Sequence, residues 1–377
     1  MIPKILLCGS LCFAIYATGF AAQPAGPDPV RQRKVLQEGR YAELDRDMNA
    51  AQQAYDHGSI NDDQLYATFL PFYYADPDLE PKFDQWVARF PRSYPARLAR
   101  GMYYEAMAWV KRGDKYARDT SKEQFAGMTA YQQMALRDLS KSIEMDPKPI
   151  LTYRAEIGLR KMLTNLAKGN RKLLDSANRI DPRNVGVRRT YLYSIDTRWG
   201  GSAEQMAAFV DECRTAHLPP TTLREFEALA TADKAWALMR DKDYSGAEKV
   251  YAQALALTPD DGDMLTNMSD VLLHEKKYEQ DLEPLSKLIK LNPSNTYALS
   301  NRGWIYARMK RQTQAINDYT KAAELGDAFS ENELGKIYWY AIGVPRDKER
   351  AIKMFRSAAE QGNADAETNL AWALKGS

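Results

Sequence analysis

The sequence predicts an all-α chain: a right-handed solenoid of helical hairpins, preceded by an irregular helical domain. Three observations carry this. Several columns recur every 34 positions: Leu257, Leu291 and Leu325; Ala254, Leu288 and Ala322; Tyr251, Leu285 and Tyr319. A period of that length is one supersecondary unit, and such units bury their apolar faces only by stacking on one another. Within the period, Ala247-Tyr251-Ala254 and Ala315-Tyr319-Ala322 step by four then three, which sets one aromatic and two small residues on one helix face. No stretch sustains the period-two alternation of a half-buried strand, so essentially no sheet is expected.

The 377 residues allow two or three domains on a prior of roughly 100–200 residues each. Hydrophobic residues make up 45% and charged residues 27%, close to globular averages, which argues against disorder, a collagen-like chain or a multi-span membrane protein. Lys+Arg 52 against Asp+Glu 50 leaves a formal charge of +2, without the basic excess of a nucleic-acid binder.

Residues 1–21 read as a secretory signal peptide. Lys4 precedes an apolar run from Ile5 to Phe20, and Gly19-Phe20-Ala21 offers small residues where a signal peptidase reads. At about 1.5 Å rise per residue the run falls short of a hydrocarbon core of roughly 30 Å, so cleavage is expected rather than a permanent anchor. Lipidation at Cys8 or Cys12 is disfavoured because Leu7 and Leu11 stand where a small residue belongs. Removal of the leader leaves one cysteine, Cys213, so an exported chain must be stabilised by packing rather than by an internal disulfide. Residues 22–29 form a short Pro/Gly tether, and the mature chain is expected to be soluble and periplasmic, without membrane insertion.

Residues 30–218 show helical patterning of lower regularity. Leu36-x-x-Gly39-x-Tyr41-x-x-Leu44 has the form of a turn between two repeat helices. Amphipathic stretches follow at Asp62–Tyr74, Leu79–Phe90, Pro95–Arg112, Phe125–Met145, Leu151–Ala167, Arg171–Ile180 and Val185–Ile195. Asp146-Pro147 and Asp181-Pro182 stop two helices 35 residues apart, because proline lacks the N–H and clashes with the preceding turn. Ser202 with Gln205 predicts a capped helix start after Gly200-Gly201, and Thr222 with Glu225 predicts the next. His217-Leu218-Pro219-Pro220 breaks the chain, so the main domain seam is placed at 217–222.

The 34-residue period with Gly303-x-x-Tyr306, Ala315, Tyr319 and Ala322 resembles the tetratricopeptide repeat. Three units fall within 222–327, at about 228–261, 262–295 and 296–327; the middle one carries Asp281 where the family has a small residue. Within 328–377, Leu334-Gly335-x-x-Tyr338, Gly343-Val344-Pro345-x-Asp347, Ala351, Phe355, Ala358-Ala359 and Gln361-Gly362 resemble a Sel-one-like repeat, with Ala366 and Leu370-Ala371 opening a capping helix. The 30–218 stretch, with Trp109 in Pro95–Gly113 and Arg198-Trp199-Gly200-Gly201-Ser202, resembles a domain of unknown function found ahead of such repeats in exported bacterial proteins. That resemblance implies no activity.

The catalytic signals are sparse. His57, His217 and His274 lack metal-ligand spacing, and nucleophile elbows, phosphate loops and CxxC motifs are absent from the sequence. No cofactor and no catalytic residue is therefore expected. Cys213 and His217 share a helix face and could form a nucleophile–base pair, but a buried structural cysteine accounts for them better. The Arg198–Ser202 stretch reads as a helix–helix turn before a ligand loop.

The tetratricopeptide resemblance implies a binding face lined by the first helix of each pair. In this register it presents Asp233, Trp236 and Arg240; Asn267, Asp270 and His274; Asn301, Trp304 and Arg308; then Lys336, Trp339 and Tyr340. The anchors expected to hold a partner are Trp236, Arg240, Asn267, Asp270, Asn301, Trp304, Arg308 and Trp339. Asparagine pairs with a peptide backbone, while Trp and Arg are common hot spots. The two-carboxylate clamp of some family members wants basic residues where Ala232 and Tyr297 stand here, so capture of a C-terminal carboxylate is not expected. The implied function is an exported, non-catalytic scaffold or adaptor for another protein or peptide. The alternatives are an immunity protein against a secreted antibacterial toxin, and an enzyme within 30–218.

Overall fold

The computed structural model describes residues 29–113, 120–161, 163 and 167–375. The leader over 1–21, with Cys8 and Cys12, and tether residues 22–28 lie outside the described residues. Among the described residues the chain holds nineteen α-helices and no strand. It divides into two compact units, Met1–Ala230 and Thr231–Ser377.

The first unit comprises α1 (Pro29–Gln37), α2 (Tyr41–Asp56), α3 (Asp62–Phe69), α4 (Glu80–Arg89), α5 (Tyr94–Arg112), α6 (Lys122–Ile143), α7 (Ile150–Arg160), α8 (Asn170–Ile180), α9 (Gly186–Ser194), α10 (Ala203–Thr215) and the start of α11 (Pro220–Arg240). α3 to α9 begin within a few residues of the amphipathic stretches read from the sequence, but α3 ends at Phe69 and α7 at Arg160, short of the expected Tyr74 and Ala167, and residues 162 and 164–166 of the latter stretch lie outside the described residues. Helix starts are capped by the side chains that favour caps: Asn61 and Gln64 bond each other's backbone, as do Ser121 and Gln124, and Ser202 accepts from the Gln205 N–H. Asp146 and Asp181 each accept from the N–H two residues on, at 2.7 and 2.9 Å, fixing the turns where α6 and α8 have ended.

Aromatic rings fill this unit's core. Phe72 lies 5.7 Å from Trp86 and 6.0 Å from Phe83 between centroids, and Phe83 lies 4.8 Å from Tyr103. The Trp86 indole N–H donates to Asp45 at 3.1 Å, so the largest apolar side chain keeps its polar atom satisfied. A partly buried ion network crosses the same unit. Asp63 of α3 holds Arg154 of α7 at 2.8 Å and Arg189 of α9 at 3.1 Å, and Arg189 also grips Glu225 of α11.

The units part inside α11, beyond the 217–222 break. His217 does leave α10 with φ 57, yet Pro220 opens α11 instead of closing a domain. Proline at the first helical position forfeits no needed N–H. Phe226 and Ala230 then bury into the first unit's core, which carries the boundary past them. Thr222 sits inside α11 as a consequence, and its expected capping partner Glu225 faces Arg189.

The second unit continues α11 and adds α12 (Tyr244–Leu257), α13 (Gly262–His274), α14 (Tyr278–Leu291), α15 (Thr296–Arg308), α16 (Gln312–Glu324), α17 (Ala328–Tyr340), α18 (Lys348–Glu360) and α19 (Ala364–Lys375). The pairs match the repeats read from sequence. Ala247, Tyr251 and Ala254 are buried, as are Ala315, Tyr319 and Ala322, and Ala351, Phe355 and Ala358. Gly303 and Gly335 let the paired helices close: a Cβ on Gly303 would stand 3.0 Å from the Tyr319 ring, and on Gly335 2.5 Å from the Phe355 ring. The leucine column that marks the period in the sequence is not core, for Leu291 and Leu325 are 47% and 46% exposed.

The turns repeat as faithfully as the helices. Asp261, Asn295, Asp327 and Asn363 each cap a first helix by accepting from the N–H three residues on, at 2.8–3.0 Å. Each tetratricopeptide-like hairpin turns on a left-handed lysine: Lys242 (φ 65), Lys276 (φ 61) and Lys310 (φ 59). The Lys310 N–H donates to the Ala307 carbonyl and the Arg311 N–H to the Tyr306 carbonyl, the paired bonds of a Schellman motif. Gly39 makes the same turn after α1, donating to Leu36 while Arg40 donates to Val35. The degenerate repeat turn read at Leu36–Leu44 is therefore present.

Candidate partner-binding face

The first helices of the second unit position every residue expected to bind, and the structure divides them into exposed and engaged groups. Trp236 and Arg240 lie one turn apart on α11, with the guanidinium 5.6 Å from the indole centroid. Asn267 is half-buried on α13. Arg240, His274 and Arg308 end successive first helices at 34-residue steps, and all three are exposed.

A stacking rule that sequence reasoning missed supports two of these ends, His274 and Arg308. The first residue of one repeat's second helix stacks on the last turn of the next repeat's first helix. Tyr244 stacks flat on His274 at 4.5 Å and 8°. Tyr278, 34 residues later, lies 5.1 Å under Arg308 and meets Trp304 edge-on at 5.4 Å. Arg308 also covers the Trp304 ring at 4.6 Å. The signal was available: Tyr244 to His274 and Tyr278 to Arg308 are both thirty residues apart. Trp304 thus packs between repeats and presents only part of its ring.

Other expected anchors are engaged within the fold. Asn301 Nδ2 donates back to the Tyr297 carbonyl at 2.9 Å. Asp270 accepts the Tyr297 hydroxyl at 2.6 Å; burial raises its carboxyl, with Tyr297 and His274 acting against that rise. Trp339 is 2% exposed, so it belongs to the core instead of the binding face. It meets Trp372 of α19 edge-on at 5.2 Å, and Lys348 lies 5.2 Å from its ring centroid. Arg346, from the longer loop of this repeat, lies 5.7 Å from the same ring centroid. Lys336 pairs with Glu333 at 2.5 Å, whereas Tyr340 is 58% exposed.

Beneath the face, the second repeat departs from its neighbours. Asp281 is fully buried where other repeats have Ala247, Ala315 and Ala351, and burial pushes its carboxyl up to about 8, with the Ser269 hydroxyl opposing and the Asp270 charge adding. A carboxyl so placed is held neutral near pH 7. Pro284 on the same helix withholds an N–H from its ladder of hydrogen bonds.

The chemistry weighed in the first unit resolves into packing. Cys213 is buried, Arg188 Nη1 donates to its Sγ at 3.8 Å, and burial raises the thiol. His217 is exposed at the helix end, so the two are not an activated pair. Asp196 caps the turn before Gly200 (φ 87) and binds Arg198 at 2.6 Å, which makes 197–202 a braced helix connection. Among the described residues no three His, Cys, Asp or Glu side chains gather as a metal site, and no helix is long and apolar enough to cross a membrane.

Stacked helical hairpins with a repeating turn define a helical-repeat solenoid protein. Residues 328–363 match the Sel1 repeat, and residues 30–168 match DUF4034, a domain of unknown function. A tetratricopeptide repeat protein 36 homolog of Drosophila melanogaster is 31% identical over 113 residues, 29% of this chain and 60% of that protein. An F-box protein of Arabidopsis thaliana is 32% identical over 80 residues, 21% of this chain and 22% of that protein. The chain thus spans less than two thirds of either relative. Among solved structures, human IFIT1 in a dimer with m7Gppp-AAAA is 13% identical, with a TM-score of 0.46, covering 92% of this chain and 80% of that one. A protective antigen of uropathogenic Escherichia coli strains with an SLR fold is 14% identical, with a TM-score of 0.33 over 86% of this chain and 81% of that one.

Proposed function

We propose that this chain is an exported, non-catalytic repeat protein that binds another protein or peptide through the first helices of its second unit, acting as a scaffold or adaptor in the cell envelope. The observation that supports this is the row formed by Arg240, His274 and Arg308, set at 34-residue steps and held by ring stacks, with Asn267 and the Trp236 and Trp304 rings beside it. Side chains already held by ring stacks lose little freedom when a partner arrives, which favours recognition. Trp339 is excluded from this face by its burial, and Trp304 serves the fold as well as the surface.

The test uses side chains whose removal leaves the core intact. An Asn267→Ala/Arg308→Ala chain should lose capture of its partner from the envelope fraction while helical content and cooperative unfolding persist. Interface anchors typically contribute about 2 kcal/mol or more each, and rim residues little. Retained capture by the folded double variant overturns the assignment of this face. The export reading has its own measurement: intact mass should place the mature amino terminus within a few residues of Gln23, and a retained Met1 or a lipid on Cys8 or Cys12 overturns it.

A further inference from the structure

A cavity in the first unit has no place in the function proposed above. It occupies about 240 Å³ between α5 and α6. The helices meet there through matching faces, Arg97, Arg100 and Tyr104 on α5 against Met134, Arg137, Asp138 and Lys141 on α6. Steps of three and four residues put each set on one side of its helix.

The floor is rigid. Asp138 is buried and accepts Arg97 Nη1 at 2.9 Å, Arg100 Nη2 at 2.9 Å and Arg100 Nε at 2.6 Å. Arg100 Nη1 reaches outward to Asp84 at 2.8 Å. Two carboxylates thus face four cations, leaving two positive charges in excess. Arg97 Nε is buried and meets no acceptor among the described residues. That nitrogen is left with a donor to offer. Arg137 and Lys141, one turn apart on the rim, are exposed and make no ion pair among the described residues. Lys141 gains from the carboxyl end of α6, but Arg137 has no such account.

We propose that this cavity binds the phosphoryl group of an organic phosphate monoester. Asp138 and Asp84 take all three nitrogens of Arg100, so the guanidinium offered to a phosphate is that of Arg97, which Asp138 holds through Nη1 alone, and a side chain held in advance loses little freedom on binding. Arg137 and Lys141 close over the remaining oxygens. Tyr104 and Met134 supply an apolar wall for the organic substituent, the mixed lining usual in small-molecule sites.

The experiment is calorimetric titration of the full chain with phenyl phosphate and with inorganic phosphate. Arg137→Gln/Lys141→Gln serves as the variant, because both side chains are exposed and leave the Asp138 clamp in place. Saturable binding of phenyl phosphate, weakened roughly tenfold or more in the variant with an unchanged melting curve, supports the site. A parallel arm measures association with vesicles of phosphatidic acid and of phosphatidylserine. Absence of saturable binding, equal affinity in the variant, or association only with vesicles of either lipid overturns the proposal; the last would mark a charged surface and not a phosphate pocket.

Discussion

Tyr297 donates its hydroxyl to Asp270 at 2.6 Å, joining the first helices of the second and third repeats. The pair occupies two positions that the repeat pattern assigns to ligands, so part of the binding surface has been converted into a tie between hairpins. Tyr297→Phe removes the donor while keeping the ring. It should destabilise the chain by about 1–3 kcal/mol, the range for leaving a buried acceptor unpaired. The carboxyl of Asp270, already raised by burial, would rise further without this bond, so the loss should be greater at pH 8 than at pH 5. Denaturant unfolding at both values checks it, and an equal loss at both would mean that Asp270 does not feel the tyrosine.

Asp281 gives the opposite lesson. Its folded carboxyl, at about 8, lies well above the ordinary value of 3.8. A raised carboxyl favours folding only while it stays protonated, so this contribution is full below the ordinary value and is lost as pH climbs toward 8. Asp281→Ala restores the alanine of the neighbouring repeats. The variant should gain on the parent protein by up to about 1.4 kcal/mol per pH unit between pH 5 and 8, and no further above that. Melting temperatures across this range that run parallel for the two proteins would contradict the burial argument.

The three left-handed lysines carry a backbone penalty that glycine would not. Lys310→Gly should stabilise the chain by about 1 kcal/mol, and Lys276→Gly by a similar amount. Gly326 at φ 85 has open space around a built Cβ, so Gly326→Ala isolates the backbone term and should destabilise by about 1 kcal/mol. Thermal unfolding that ranks these substitutions the other way would show that the turn conformations differ from those described.

Arg189 joins Asp63 to Glu225 in the first unit. Arg189→Met leaves two carboxylates beside each other with only Arg154 to balance Asp63. Breaking one partner of a buried ionic group typically costs about 3–5 kcal/mol. Glu225 is one-third exposed, so the lower end of that range is expected. Replacing Asp63 and Arg189 together by Asn and Met should recover part of the loss, and a double variant as unstable as the sum of the singles would argue that the two side chains act independently.

The sequence alone determined the helical class, the hairpin boundaries and the register of the repeats. Those features rest on local chemistry: small and aromatic residues at steps of three and four, prolines that stop helices, and Asp, Asn and Ser side chains that cap the next ones. It also picked out Asp281 as the misfit, because a charge in a column of alanines is visible without coordinates. Tertiary structure decided what each surface residue is free to do. Trp339 and Trp304 both lie on first helices that the register offers to a partner, yet one is buried against Trp372 and the other is clasped by Tyr278 and Arg308. Leu291 and Leu325 mark the period but lie near half exposed, because recurrence reports the spacing of helix ends and not their burial. The cationic cavity between α5 and α6 was equally hidden: its charges come from residues about forty positions apart, which meet only when two long helices pack face to face.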